Sequence, residues 1–74
     1  MNGRGALGTE VRTELMLDGL VTVREAMAFL RLSRSTLYSL MDKGRLRYVR
    51  IGRTRRIPRR ALIDLAAANL VGAP

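Results

Sequence analysis

The chain has 74 residues, 14 basic against 6 acidic side chains and a net charge of +8, with no histidine and no cysteine. These numbers exclude a disulfide framework, a His/Cys zinc site and thiol- or histidine-based catalysis. A domain this small keeps roughly 4,600 Å² accessible out of roughly 12,000 Å² unfolded, which leaves little room for an enclosed catalytic chamber. With 47% apolar residues the chain is not a disordered basic tail, and a folded, strongly basic mini-domain points to a polyanionic partner.

Residues 1–8 are Gly-rich and lack the apolar core of a signal peptide, and no apolar stretch is long enough for a membrane span. We expect a cytoplasmic protein with no membrane partner. Residues 1–19 read as a flexible or partly helical N-terminal tail. Within it, Thr9 is a candidate cap and Val11, Leu15 and Met16 a candidate helical face, closed by the Asp18-Gly19 turn signal.

From Thr22 the pattern sharpens. Thr22-Val23-Arg24-Glu25 has the form of a capping box, in which the Thr hydroxyl meets the third amide and the Glu reaches back. Val23, Ala26, Met27 and Leu30 follow at i, i+3, i+4 and i+7, which predicts a helix over 23–31. Ser33 is a second N-cap, Leu37, Leu40 and Met41 form a second buried stripe, and Gly44 suits a C-terminal cap, which predicts a helix over 34–43. Two short helices joined by a tight turn are a helix-turn-helix. The outer face of the second helix carries Arg34, Ser35, Tyr38, Ser39 and Asp42, all but Asp42 clustered toward its N-terminal turns, where a recognition helix meets base edges and phosphates.

Residues 46–57 change to a period of two. Gly52-Arg53-Thr54 reads as a three-residue hairpin loop, which pairs Ile51 with Arg55 and Val49 with Ile57. Val49, Ile51 and Ile57 then share one face, and Arg50 and Arg56 the other. Pro58 ends the hairpin, and Ala61, Leu62, Leu65 and Ala66 predict a third helix over 59–70.

Charge follows this division. Residues 1–44 carry a net +1, residues 45–60 eight arginines and no acid, and residues 61–74 a net −1. Arginine binds phosphate or guanine bidentately, and at a hairpin tip it can enter a narrowed minor groove. Arg53 is the foremost candidate, then Arg55 and Arg56, with Arg50 and Thr54 beside them. The competing reading is an edge strand guarded by charge. On the second helix Arg34, Ser35 and Tyr38 face a groove and Thr36 donates to phosphate, unless the hydroxyls bond locally and the Tyr38 ring covers the core edge. Ser39 belongs to the same face. Arg24 touches phosphate or pairs with Glu25. Phe29 and Tyr48 are read as core. No paired carboxylates, no phosphate-binding glycine loop and no cofactor or metal signature occur, so no catalytic residue is assigned.

Five runs together resemble a known family: Leu20-Val21-Thr22-Val23-Arg24-Glu25-Ala26, Leu32-Ser33-Arg34-Ser35-Thr36-Leu37-Tyr38, Lys43-Gly44-Arg45-Leu46, Val49-Arg50-Ile51-Gly52-Arg53 and Arg56-Ile57-Pro58-Arg59-Arg60-Ala61-Leu62. Their order and spacing are similar to the excisionase-type winged helix-turn-helix, related to the DNA-binding part of MerR-like regulators. The resemblance implies a mainly α fold with a small β-hairpin over residues 20–71. It implies double-stranded DNA as partner, the second helix in the major groove and the hairpin in the adjacent minor groove. It further implies non-catalytic copies that bind side by side, bend DNA and direct an integrase toward excision, while relatives act as small transcription regulators. A protein- or RNA-interaction module is the remaining alternative. The chain departs from the family pattern at Met27, where a small residue is usual, and at Arg31, where the turn usually holds glycine.

Overall fold

A computed structural model describes residues 12–72 of the chain. Its elements run α1 (residues 12–18), β1 (Leu20–Thr22), α2 (Val23–Leu30), α3 (Arg34–Asp42), β2 (Val49–Ile51), β3 (Thr54–Pro58) and α4 (Arg59–Ala68). The fold is mostly helical with one three-stranded antiparallel sheet of order β1-β3-β2. The expectations placed on residues 1–8, Thr9 and Val11 lie outside the described residues.

The helix starts follow local chemistry. The Glu25 N–H donates to Thr22 Oγ1 at 3.0 Å, and the Thr22 N–H donates to Glu25 Oε1 at 2.8 Å, so the capping box is complete. Ser33 Oγ accepts from the Thr36 N–H at 3.2 Å and caps α3. Both helices end on a left-handed residue. After α3, Gly44 has φ 73° and the Arg45 N–H closes onto the Leu40 carbonyl at 2.8 Å. After α2, Arg31 takes the same role at φ 58°, ψ 42°, and the Leu32 N–H closes onto the Met27 carbonyl at 3.1 Å. This six-residue closure is a Schellman-type cap, normally a glycine position.

The core gathers the predicted stripes. Val21, Val23, Ala26, Leu37, Met41, Leu46, Ile57, Ala61 and Leu62 are buried, with Met27, Leu30, Leu40 and Leu65 packed against them. Two apolar expectations fail. Phe29 stands 49% exposed, and Met16 is 84% exposed, so of the two described residues of the proposed face of α1 Leu15 alone is half-buried.

The hairpin register also differs from the sequence reading. The loop has two residues, Gly52-Arg53, and the pairs are Ile51 with Thr54, Arg50 with Arg55 and Val49 with Arg56. Gly52 alone has a positive φ, 62°, the pattern of a type II′ turn with glycine first, whose twist matches the strands it joins. One residue less in the loop moves β3 by one register and reverses the faces. Arg50, Arg55 and Ile57 therefore share one face, and Val49, Ile51, Thr54 and Arg56 the other. Ile57 reaches the core across from Val21 of β1, while Ile51 is 59% exposed.

Candidate nucleic-acid interface

α3 and the β2–β3 hairpin form the candidate surface. α3 presents Arg34 and Ser35 to solvent, with Tyr38 and Ser39 half-buried beside them. The α3 hydroxyls bond locally. Ser33 Oγ donates to Thr36 Oγ1 at 2.9 Å and lies 3.4 Å from Ser35 Oγ, and Thr36 borders an apolar cleft between α2, α3 and α4 rather than the outer face. The Tyr38 ring packs against the core edge and has the Arg34 guanidinium 5.9 Å and the Arg55 guanidinium 4.8 Å from its centroid.

The arginines of residues 45–60 divide into two groups. Arg47 forms a forked pair with Glu14 of α1 at 2.7 and 3.2 Å and a further bond to Asp64 of α4 at 2.9 Å. The Glu14 hydrogen bonds, and after them Asp64, raise the Arg47 pKa above its already high ordinary value. Arg55 meets Asp42 at 3.4 Å. Arg60 lies 3.4 Å from Asp18 Oδ2, an enclosed oxygen that receives no hydrogen bond, so this contact is an ion pair without directional bonding. Arg59 Nε donates to the Asp18 carbonyl at 3.2 Å, and its backbone N–H donates to the Gly19 carbonyl at 3.0 Å. These contacts fasten α1 to the start of α4.

Arg45, Arg50 and Arg53 are exposed and pair with no carboxylate among the described residues. Arg56 is half-buried and donates to the Arg55 carbonyl at 3.0 Å. Arg24 is exposed on the first turn of α2 and does not pair with Glu25, whose carboxylate is engaged by Thr22. Hydrogen bonds from Thr22, the backbone N–H first, hold the Glu25 carboxyl below its ordinary value, and the nearby Arg59 and Arg56 charges add to this. Arg31 in the turn is likewise exposed and unpaired among the described residues. Thr54 is exposed beside the tip.

A helix capped by Ser33, a tight left-handed turn before it and a basic two-stranded wing after it complete a winged helix-turn-helix. The helix-turn-helix domain family matches residues 20–70 of the chain. The chain belongs to that family. This helix-turn-helix domain is 52% identical over 48 residues to a protein of Saccharopolyspora erythraea described as a "probable excisionase". The match covers 65% of this chain and 49% of that protein, so the chain spans about half the length of that relative. It is also 36% identical over 58 residues to proteins described as "putative DNA-binding protein" in two strains of Mycobacterium tuberculosis, covering 78% of this chain and 68% of theirs. No solved structure matches the domain.

Within this helix-turn-helix domain, every carboxylate of the described residues already has a partner: Glu14, Asp18, Asp42 and Asp64 face arginines, and Glu25 caps α2. The charge excess is left on guanidiniums of the α2 start, the turn, the α3 start and the wing. Among the described residues no cluster of His, Cys, Asp or Glu could hold a metal, and no helix is long and apolar enough to cross a membrane. Sequence reasoning placed Asp42 on the outer face of α3 and Tyr48 in the core, where its ring does pack, but missed what they share. Tyr48 and Asp42 flank Arg55, and only the cross-strand register places Arg55 on the face that looks back at α3.

Proposed function

We propose that this domain binds double-stranded DNA as an architectural factor of the excisionase type. α3 lies in the major groove with Arg34, Ser35, Tyr38 and Ser39 toward the bases. The wing enters the adjacent minor groove with Arg53 at its tip and Arg50, Thr54 and Arg56 along its edges. Arg24 meets phosphate at the start of α2. The observation that carries this reading is the wing itself: Arg50 and Arg53 are exposed and pair with no acid among the described residues, whose carboxylates are all engaged elsewhere. Like charges so placed repel each other, and a polyanion relieves that repulsion. Lysine or glutamate would guard an edge strand equally well, whereas a planar, permanently charged fork suits phosphate and groove recognition.

The excisionase relative supports the finer reading, in which copies bind side by side, bend the duplex and direct a partner integrase toward excision. The Mycobacterium relatives are described by DNA binding alone, which fits a second reading as a small transcription regulator equally well. An in vitro recombination assay with attachment-site DNA and an added integrase separates the two. Excision that depends on added domain, with a bent duplex in circular-permutation gels, supports the first. Excision indifferent to the domain, with occupancy of a promoter instead, overturns it in favour of regulation.

A further inference from the structure

The wing is poorly supported by its own sheet. β1 pairs only with Arg56, Ile57 and Pro58, so the outer part of β3 has β2 alone as a neighbour. β2 is three residues long. A two-stranded ribbon this short is marginal by itself in water. Ile51, Gly52, Arg53 and Thr54, at the tip, are all exposed. Arg55 is the outermost residue of β3 that reaches back to the body, and its side chain is only 17% exposed.

Its environment is built for a guanidinium. The Arg55 Cζ lies 4.8 Å from the Tyr38 ring centroid on α3 and 4.6 Å from the Tyr48 ring centroid on the approach to β2. Its Nη1 lies 3.4 Å from Asp42 Oδ1 at the end of α3. Both rings pack against the core, so they are fixed walls rather than mobile surface groups. Two aromatic faces and one carboxylate leave the planar cation little reason to seek another partner.

We infer that Arg55 is a positioning residue: clamped between Tyr38 and Tyr48 and paired with Asp42, it fixes the outer wing against α3, so that wing and helix meet DNA as one unit. It acts through Arg53 and Arg50 rather than by touching phosphate. The DNA side of this inference rests on the function proposed above; the mechanical side does not.

The test compares wild type with Arg55→Lys, Tyr48→Leu and Tyr48→Phe. Arg55→Lys keeps the charge but loses the plane. Tyr48→Leu keeps apolar bulk but loses the ring, and Tyr48→Phe restores the ring. The first readout is backbone ¹⁵N relaxation of the Gly52, Arg53 and Thr54 amides without DNA. Wild type and Tyr48→Phe should show a wing as ordered as the helices, near an order parameter of about 0.85, and the other two a fall below about 0.6 with helix values unchanged. The second readout is duplex affinity across salt. Arg55→Lys and Tyr48→Leu should each weaken binding roughly tenfold with an unchanged salt slope, because no phosphate contact is lost. Their combination should be no weaker than either alone, because both act through the same clamp. A wing equally ordered in all four proteins, or an Arg55→Lys protein that binds as wild type, overturns the inference. A wild-type chain that ignores duplex DNA overturns the proposed function instead, and the relaxation comparison then decides the clamp by itself.

Discussion

Arg31→Gly should stabilise this domain, and Gly44→Ala should destabilise it, although both sites are exposed and close the same kind of helix end. Arg31 holds φ 58° and ψ 42°, and Gly44 holds φ 73°, each followed by the N–H that bonds back five residues. A non-glycine side chain in that region costs about 1 kcal/mol or slightly more. Replacing it with glycine returns that strain but adds unfolded-chain entropy of about 0.4–1 kcal/mol. The net gain at Arg31 is about 0.5 kcal/mol, which for a domain of this size raises Tm by about 2–4 °C. At Gly44 an added Cβ would meet nothing within 4 Å, so no clash joins the same two opposed terms and the sign reverses. Arg31→Ala is the control, because it removes the same positive charge yet keeps the strain. Its Tm should stay within about 1 °C of wild type. Urea and thermal unfolding followed by far-ultraviolet circular dichroism give all three values. An Arg31→Gly protein no more stable than Arg31→Ala would refute the claim that the turn stores backbone strain.

Three further outcomes follow from packing and charge. Leu37 is fully buried at the centre of the core, so Leu37→Ala should cost about 3 kcal/mol out of a total of roughly 4–11 kcal/mol, seen as a large drop in the urea midpoint. Glu14→Gln should lower stability by about 0.5 kcal/mol, since the forked Glu14–Arg47 pair is part-exposed, and the loss should shrink in about 1 M salt; a salt-independent loss points to packing instead. The folded-state pKa of Glu25 lies below its unfolded value, so the unfolded chain binds the extra proton and the capping contribution is full above the ordinary glutamate range. That contribution should fade as pH drops through the lowered folded pKa, and Glu25→Gln should remove this part of the acid dependence in urea titrations at stepped pH.

Much of the helical framework was legible because its signals are local. The Thr22–Glu25 box, the Ser33 cap and the stripes at Val23, Ala26, Leu37, Met41 and Leu62 need only neighbours within a few residues, and the structure follows them to within one or two positions. The sheet was less legible. Leu20-Val21-Thr22 is too short to show a period, and it becomes a strand only because β3 lies alongside it. The hairpin register hung on whether Thr54 belonged to the loop, and Gly52 as first turn residue decided for two residues over three. Phe29 follows the apolar composition expected of a core residue yet falls on the open side of α2. The division of the arginines was hidden for a different reason. Arg47 finds Glu14 across 33 positions and Asp64 across 17, so the acids of the near-neutral segments neutralise part of the basic one only after folding. Segment charge marked the wing, and tertiary contacts selected Arg50 and Arg53 within it.

The central claim is that those free arginines meet phosphate. The most direct measurement is the salt dependence of binding to duplex DNA by wild type and by Arg53→Ala. The five arginines that the proposed pose sets against the duplex are Arg24 and Arg34 on the helices and Arg50, Arg53 and Arg56 on the wing. Each displaces about one counterion, which predicts a slope of log Kobs against log salt of about −4 to −5, and Arg53→Ala should reduce it by about 1. A nearly flat slope, or one that Arg53→Ala leaves unchanged, contradicts the account.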